Sequence, residues 1–230
     1  MTMATSGSAS TKRGRPRQPR GPGRPEGVSR VREEILDAAE MLFSSLGYAG
    51  TPLREIAARA NVTQALINYY FGSKFGLFEE VFLRKGQLIS DERSALLDEL
   101  EARGNPTPRE IVHAFLLPTL SMRATPQGRA FLRLQARLHT EPPEISYELR
   151  TSAYGHSTKR YVDALRAVLP ALGELDAYWR VTFMIGTYLY SFSDTHRMEA
   201  LAPAGLYDPD DTNALIDQVT RFVVGGFQAA

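Results

Sequence analysis

Cysteine is absent from the 230 residues. Its absence removes disulfide frameworks and thiolate metal sites and suits a reducing compartment. There is no apolar run long enough to span a bilayer and no signal-peptide pattern. The expected location is therefore the cytoplasm, with no membrane partner. Histidine is scarce: His113, His139, His156 and His196 are the only four, and none stands three or four residues from another. No metal motif can be assembled from them. Glycine forms no phosphate-binding loop, since Gly225-Gly226 falls in a terminal helical pattern. No Ser–His–Asp arrangement can be argued from the order of residues. These absences point to a protein with no cofactor and no enzymatic activity. Finally, no segment alternates as a strand should, so the expected fold is all-α.

Charge is present but unevenly placed. The net charge is +1, yet residues 1–32 hold eight basic residues and one acidic one, a net of +7, which leaves −6 for the rest. A polyanionic partner is expected at the N-terminal end. Residues 1–28 are rich in Gly, Pro, Ser and Arg with almost nothing apolar, so a disordered basic arm is expected there. Its Arg13-Gly14-Arg15-Pro16-Arg17 resembles an AT-hook core, with a weaker echo at Gly23-Arg24-Pro25. An extended Arg-rich segment fits a narrow A·T minor groove. The plainer readings are a solubilising tail or a cloning remnant.

The most informative stretch is Thr51–Lys74, TPLREIAARANVTQALINYYFGSK. Thr51 is a good N-cap and Pro52 suits the first helical position. Leu53, Ile56, Ala57 and Ala60 recur at helical spacing. Asn61 tolerates the left-handed turn that a sharp exit needs, and Thr63 caps a second short helix. In that helix Ile67 and Phe71 point one way, while Ala65, Asn68 and Tyr69 point the other, flanked by Gln64 and Leu66. An outer face of small, amide and aromatic side chains suits base edges better than bulk water. Gly72 stops the helix. Ser73 and Lys74 open the next, where free N–H groups and a cation favour a phosphate.

This stretch resembles the helix-turn-helix of the TetR family of transcriptional regulators. Thr51, Ile56, Ala57, Ala60, Val62, Tyr70, Phe71, Ser73, Lys74 and Leu77 fall at the family's signature spacings. Asn61 stands where the family usually has Gly, and Asn68 where it usually has Tyr. The second departure alters what is read in the groove. The resemblance implies a dimer on a near-palindromic double-stranded DNA operator. On this reading Gln64 and Asn68 meet bases beside Ala65, since a side-chain amide can bond adenine N6 and N7 together. Arg54 would reach a guanine edge or a phosphate. Thr51, Thr63, Tyr69, Tyr70 and Lys74 would contact phosphates, with Arg13 and Arg15 added from the arm.

The expected organisation is the arm over 1–28, a helix-turn-helix head over 29–73 and a helical body over 74–230. A first helix over Ser29–Leu46 carries an apolar stripe that ends at Leu46. Helices follow over Lys74 to about Glu101, about 108–123, 127–140, 143–169, 174–199 and 211–228, separated by Pro and Gly. Thr107, Pro108 and Glu110 form a capping box. The two last helices are apolar on more than one face, as in a self-associating bundle. Tyr178, Ile185, Leu189, Phe192, Leu215, Val219 and Phe222 are the expected homodimer contacts. Through Phe131-Leu132-Arg133-Leu134 and Tyr178-Trp179-Arg180-Val181-Thr182-Phe183-Met184-Ile185-Gly186 the middle helices resemble, more loosely, a TetR subgroup with fatty-acid-responsive members. That implies an amphiphilic effector, with a fatty acid or acyl thioester as first candidate. Phe115, Met122, Phe131, Leu134, Tyr154, Trp179, Phe183 and Tyr188, rich in aromatic rings and Met, are either plain core or the walls around such a ligand. Arg133 and Arg137 share a helical face: turned inward they would anchor an anionic group, turned outward they are a solvated pair. The functional expectation is a sequence-specific regulator, a repressor released by its ligand. The alternatives are an architectural protein acting through the basic arm and, more remotely, a ligand-binding helical enzyme.

Overall fold

The computed structural model describes Met1 and residues 26–229. The arm, with Arg13 and Arg15, lies outside the described residues apart from 26–28. Among the described residues there is no strand. The chain runs α1 (Glu26–Leu46), α2 (Leu53–Arg59), α3 (Gln64–Phe71), α4 (Lys74–Arg103), α5 (Pro108–Ser121), a 3₁₀ turn (Met122–Ala124), α6 (Pro126–Leu138), α7 (Pro143–Val168), α8 (Glu174–Phe192), α9 (Arg197–Leu201) and α10 (Thr212–Gln228). No helix of the described residues is long and apolar enough to cross a membrane.

The helix ends follow their local chemistry. Thr63 accepts from Leu66 N–H, Ser73 from Gly76 N–H and Thr125 from Gly128 N–H, so each caps its helix. Thr107 and Glu110 form the reciprocal capping box. Asn61 and Gly72 both adopt positive φ, at 53° and 72°, and so make the two sharp exits around α3. Three local expectations are corrected. Helix α1 starts at Glu26 rather than Ser29. Its Leu46 is exposed rather than part of the buried stripe. Helix α8 ends at Phe192 instead of running to 199, because Asp194 and His196 turn left-handed. The turn brings the Asp194 carboxylate onto Arg123 at 2.6 Å and onto Arg129 and Arg133 at 3.3 Å. An ion cluster thus ends the helix where local periodicity would have continued it.

Two apolar cores result. The head core holds Ile35, Phe43, Ile56, Ile67, Phe71, Leu77, Phe78 and Phe82, and it is completed by Phe131, Leu134, Leu138 and Leu149 from α6 and α7. The body core joins the C-terminal half of α4 to α5, α7, α8 and α10 through Leu97, Phe115, Tyr161, Met184 and Val223. At 30 residues, α4 is about 45 Å long and serves both cores, with Leu77–Ile89 in the head and Leu97–Leu100 in the body.

Candidate nucleic-acid interface and body cavity

Helix α3 is held from behind and open in front. Ile67 and Phe71 are buried, Leu66 and Tyr70 half-buried, and Gln64, Ala65, Asn68 and Tyr69 exposed. Tyr69, at 81% exposure, stands against the edge of Tyr70 with ring centroids 5.4 Å apart. Arg54 on α2 is exposed, as is Thr63, whose hydroxyl already caps α3. The structure therefore brings Arg54, Thr63, Gln64, Ala65, Asn68 and Tyr69 to open surface around one short helix.

Thr51 belongs elsewhere. It is fully buried, and its hydroxyl lies 2.7 Å from the Gly47 carbonyl, to which it donates. Pro52, not Thr51, is the N-cap of α2. A hydroxyl buried in that turn cannot reach a phosphate, so its work is to lock the α1–α2 connection. Lys74 is half-buried. Its Nζ sits 4.6 Å over the Tyr48 ring and 3.4 Å from the Ala49 carbonyl. Burial lowers its pKa, and the Glu141 carboxylate opposes that shift. Glu141, in the α6–α7 turn, accepts from the Tyr48 N–H at 3.0 Å. Tyr48 and Glu141 thus tie the start of α4 to the body, a connection that sequence spacing did not reveal.

A clamp fixes α1 on α4. Glu40 is 2% exposed and meets Lys85 Nζ at 2.7 Å and Arg84 at 3.1 Å, while Arg84 also pairs with Glu33 and Asp37. Arg32 pairs with Glu80 beside it. The head therefore moves with the first half of α4.

The body holds a cavity of about 360 Å³ between α4, α6, α7 and α8. Arg93 and Gln135 line it together with Tyr154, Tyr188, Val181 and Ile185, and His139, Arg150 and Lys159 are also among its lining residues. Arg93 is 1% exposed. Its Nε donates to the Phe115 carbonyl and its Nη2 to Thr119 Oγ1, both at 2.9 Å. These partners lie on either side of Pro118, where α5 lacks a backbone donor. His139 accepts at Nδ1 from Arg150 at 3.3 Å, because a guanidinium can only donate. His139 keeps one side open to solvent, yet partial burial of its ring and then the Arg150 charge push it down to about 4.

Residues 35–81 match the sequence model described as "Bacterial regulatory proteins, tetR family". Residues 113–226 match the one described as "Tetracyclin repressor-like, C-terminal domain". The chain belongs to the TetR family. Over 102 residues it is 33% identical to the HTH-type transcriptional regulator AcrR of Shigella flexneri, a stretch covering 44% of this chain and 46% of AcrR. The chain thus spans less than half the length of the curated relatives it matches. A TetR-family structure from Shewanella sp. PV-4 superposes with TM-score 0.58 at 22% identity, covering 84% of this chain and 97% of that one. The fatty acid degradation regulator FadR from Bacillus halodurans does so with TM-score 0.57 at 19% identity, covering 84% and 98%. At those identities the likeness is one of fold.

In this TetR-family body several expected ligand contacts are corrected. Phe115, Phe131 and Leu134 are closed core, at 1% exposure or less. Met122 packs against both cores. Trp179 and Phe183 face outward at 54% and 62% exposure, with their rings stacked 5.7 Å apart. Arg133 turns to Asp194 and Arg137 is exposed, so neither enters the cavity. Of the residues expected around a ligand, Tyr154 and Tyr188 line the cavity.

Arg93 and Gln135 were missed, although a signal existed. Arg93 interrupts the apolar series Ile89, Leu97, Leu100, and Gln135 interrupts Phe131, Leu134, Leu138. A polar residue on an apolar stripe is either buried with partners or faces a cavity.

The outer face of α8 and α10 carries Trp179, Phe183, Tyr190 and Phe222, all exposed, whereas Tyr178, expected at the dimer contact and also exposed, borders the cavity. A Cβ placed at Gly186, Gly225 or Gly226 would meet nothing within 4 Å. Of the expected dimer contacts, Leu189, Phe192 and Val219 are instead internal core. Ile185 lines the cavity, and Leu215 packs against the body core. Periodicity identified the two helices and mis-sorted their faces, because both faces of each are apolar.

Proposed function

We propose that the protein is a cytoplasmic, non-enzymatic, homodimeric repressor that binds a near-palindromic operator and is released by a small apolar or amphiphilic effector. The observation that carries this reading is the open face of α3, on a capped and clamped helix. Gln64 and Asn68 read bases, with Ala65 leaving room for a close approach to the groove. Arg54, Thr63, Tyr69, Tyr70 and Lys74 meet the backbone or position those that do. Arg13 and Arg15 add cations from the arm. The dimer forms through Trp179, Phe183 and Phe222, where small and aromatic residues lie open on adjacent helices. The effector enters the cavity beside Arg93, and the likeness in fold to FadR puts acyl compounds first among those to test.

Selection of bound sites from random DNA tests the reading, with affinity for selected and random duplexes compared at one stated salt concentration. The expected outcome is an inverted repeat bound at least a thousandfold more tightly than random DNA. Equal affinities would assign binding to the basic arm and return the architectural alternative.

A further inference from the structure

The charges lining the body cavity are of one sign. Arg93, Arg150 and Lys159 contribute to the wall with His139, and no aspartate or glutamate does. Lys159 is neutralised by Asp163 at 3.0 Å. Arg93 is not neutralised: among the described residues no carboxylate lies within 4 Å of it. A buried guanidinium normally demands an anion, because a charge taken out of water is costly unless it is paired. Here its contacts are neutral. They are the two bonds to α5, the Phe115 ring at 3.7 Å from Cζ, and the Tyr188 and Tyr154 rings at 5.5 and 5.7 Å.

A second polar group in the same wall is also unsatisfied. Gln135 is 1% exposed. Its amide nitrogen donates to the Tyr154 hydroxyl at 2.9 Å, and its Oε1 is buried without a partner. Turning the amide over would exchange the roles of its two ends and leave the NH₂ unpartnered instead. A carboxylate can only accept, so it fits the turned amide, in which the Tyr154 hydroxyl donates to Oε1 and the free NH₂ points a donor at the ligand beside the uncompensated cation.

We propose that the cavity binds a small organic carboxylate whose head is anchored by Arg93 beside Gln135 and whose apolar or aryl remainder lies against Tyr154, Tyr188, Val181 and Ile185. The proposal rests on the effector-released regulator reading and names the chemical class of the effector. A cavity of about 360 Å³ lies near the lower end of the range for small-molecule sites, about 300–1,000 Å³. It suits a medium-chain or aryl acid better than a bulky thioester. Placement supplies a route to the DNA-binding face. Arg93 lies on α4 between the head core and the body core, and Gln135 directly follows Leu134 of the head core. Two of the five guanidinium N–H groups of Arg93 are used on α5, so a carboxylate bound by the others is joined to α4 and α5 through one side chain. The carboxylate therefore bears on the tilt of the helix to which the head is clamped.

The plain alternative is that Arg93 only staples α4 to α5. Calorimetric titration of the full-length protein with octanoate and 4-phenylbutyrate, and with the methyl ester of each, separates the two. The acids should bind at least tenfold more tightly than the esters and should release a selected operator fragment. Arg93→Met should reverse the preference toward the ester, and Arg93→Lys should keep it for the acid. Equal binding of acid and ester, an unchanged acid preference in Arg93→Met, or no binding of either acid overturns the carboxylate assignment. Should Arg93→Met fail to fold, Thr158→Trp narrows the cavity from α7 without touching Arg93. It should abolish acid binding, and acid binding that persists there overturns the site. Operator binding measured without any acid is a separate arm. Its presence with no acid response removes only the effector class, whereas its absence removes the regulator reading itself.

Discussion

Two polar residues of the head, both expected at the DNA, do different work. Asn68 is exposed on α3, whereas Thr51 is sealed in the α1–α2 turn. Asn68→Ala is expected to cost about 1–3 kcal/mol on the selected site with little change on random DNA. Equal loss on both would assign Asn68 to the phosphates. Thr51→Val removes a buried donor from the Gly47 carbonyl and should lower stability by about 1–3 kcal/mol. Its signature is a reduced melting temperature with an unchanged salt slope of DNA binding; a flattened slope would restore a phosphate contact. His139 gives a pH-dependent contrast. Its folded pKa is lowered from 6.5 to about 4, so between those values the unfolded chain binds more protons. The contribution of His139 to stability is full above about pH 6.5 and is lost as pH falls toward 4. An NMR titration should place its midpoint well below 6.5. Arg150→Gln should raise that midpoint only in part, because burial is the larger cause.

At the scale of elements, α1 and α4 behave as one body because Glu40 is buried between Lys85 and Arg84. Lys85→Met leaves that carboxylate with one cation and should cost about 2 kcal/mol, below the value for a fully buried pair because Lys85 keeps some solvent contact. Double-mutant analysis with Glu40→Gln should show strong coupling, and additive effects would dissolve the clamp. The helices themselves were largely legible, since caps and breakers are local: Thr63, Gly72, Ser73, Thr107 and Pro143 act on their neighbours in sequence. What escaped was set by distant partners. Helix α8 stops where Asp194 meets arginines from the 3₁₀ turn and α6. Thr51 is buried because α1 folds over it. Trp179 and Phe183 were assigned inward because an aromatic residue on a doubly apolar helix carries no local mark of which side faces the core. Arg93 and Gln135 did carry a mark, as polar breaks in apolar stripes, but only the tertiary structure shows that both breaks open on one cavity.

At the scale of the whole molecule, two heads bind as one only if the bodies hold them together, since a joined second head binds at an effective concentration set by its connection. Phe183→Glu places a charge amid Trp179, Tyr190 and Phe222 on the outer face. It should give a monomer by sedimentation with unchanged helical content, and operator affinity should fall by at least a hundredfold. A dimer that survives Phe183→Glu moves the interface elsewhere. The arm contributes differently. Residues 1–25 carry six basic residues, no acidic one and almost nothing apolar, so their deletion should leave both apolar cores intact. Each phosphate-neutralising cation adds about 0.9 to the slope of log affinity against log salt. Removing 1–25 should therefore lower affinity and flatten that slope by about 0.9 for every cation engaged, counted over both arms of a dimer. The melting temperature should not move. A loss concentrated on sites with A·T flanks would place Arg13 and Arg15 in the narrow minor groove, where the negative potential is strongest. A loss equal on all flanks would leave them on phosphates, and an unchanged slope would make the arm a bystander to binding.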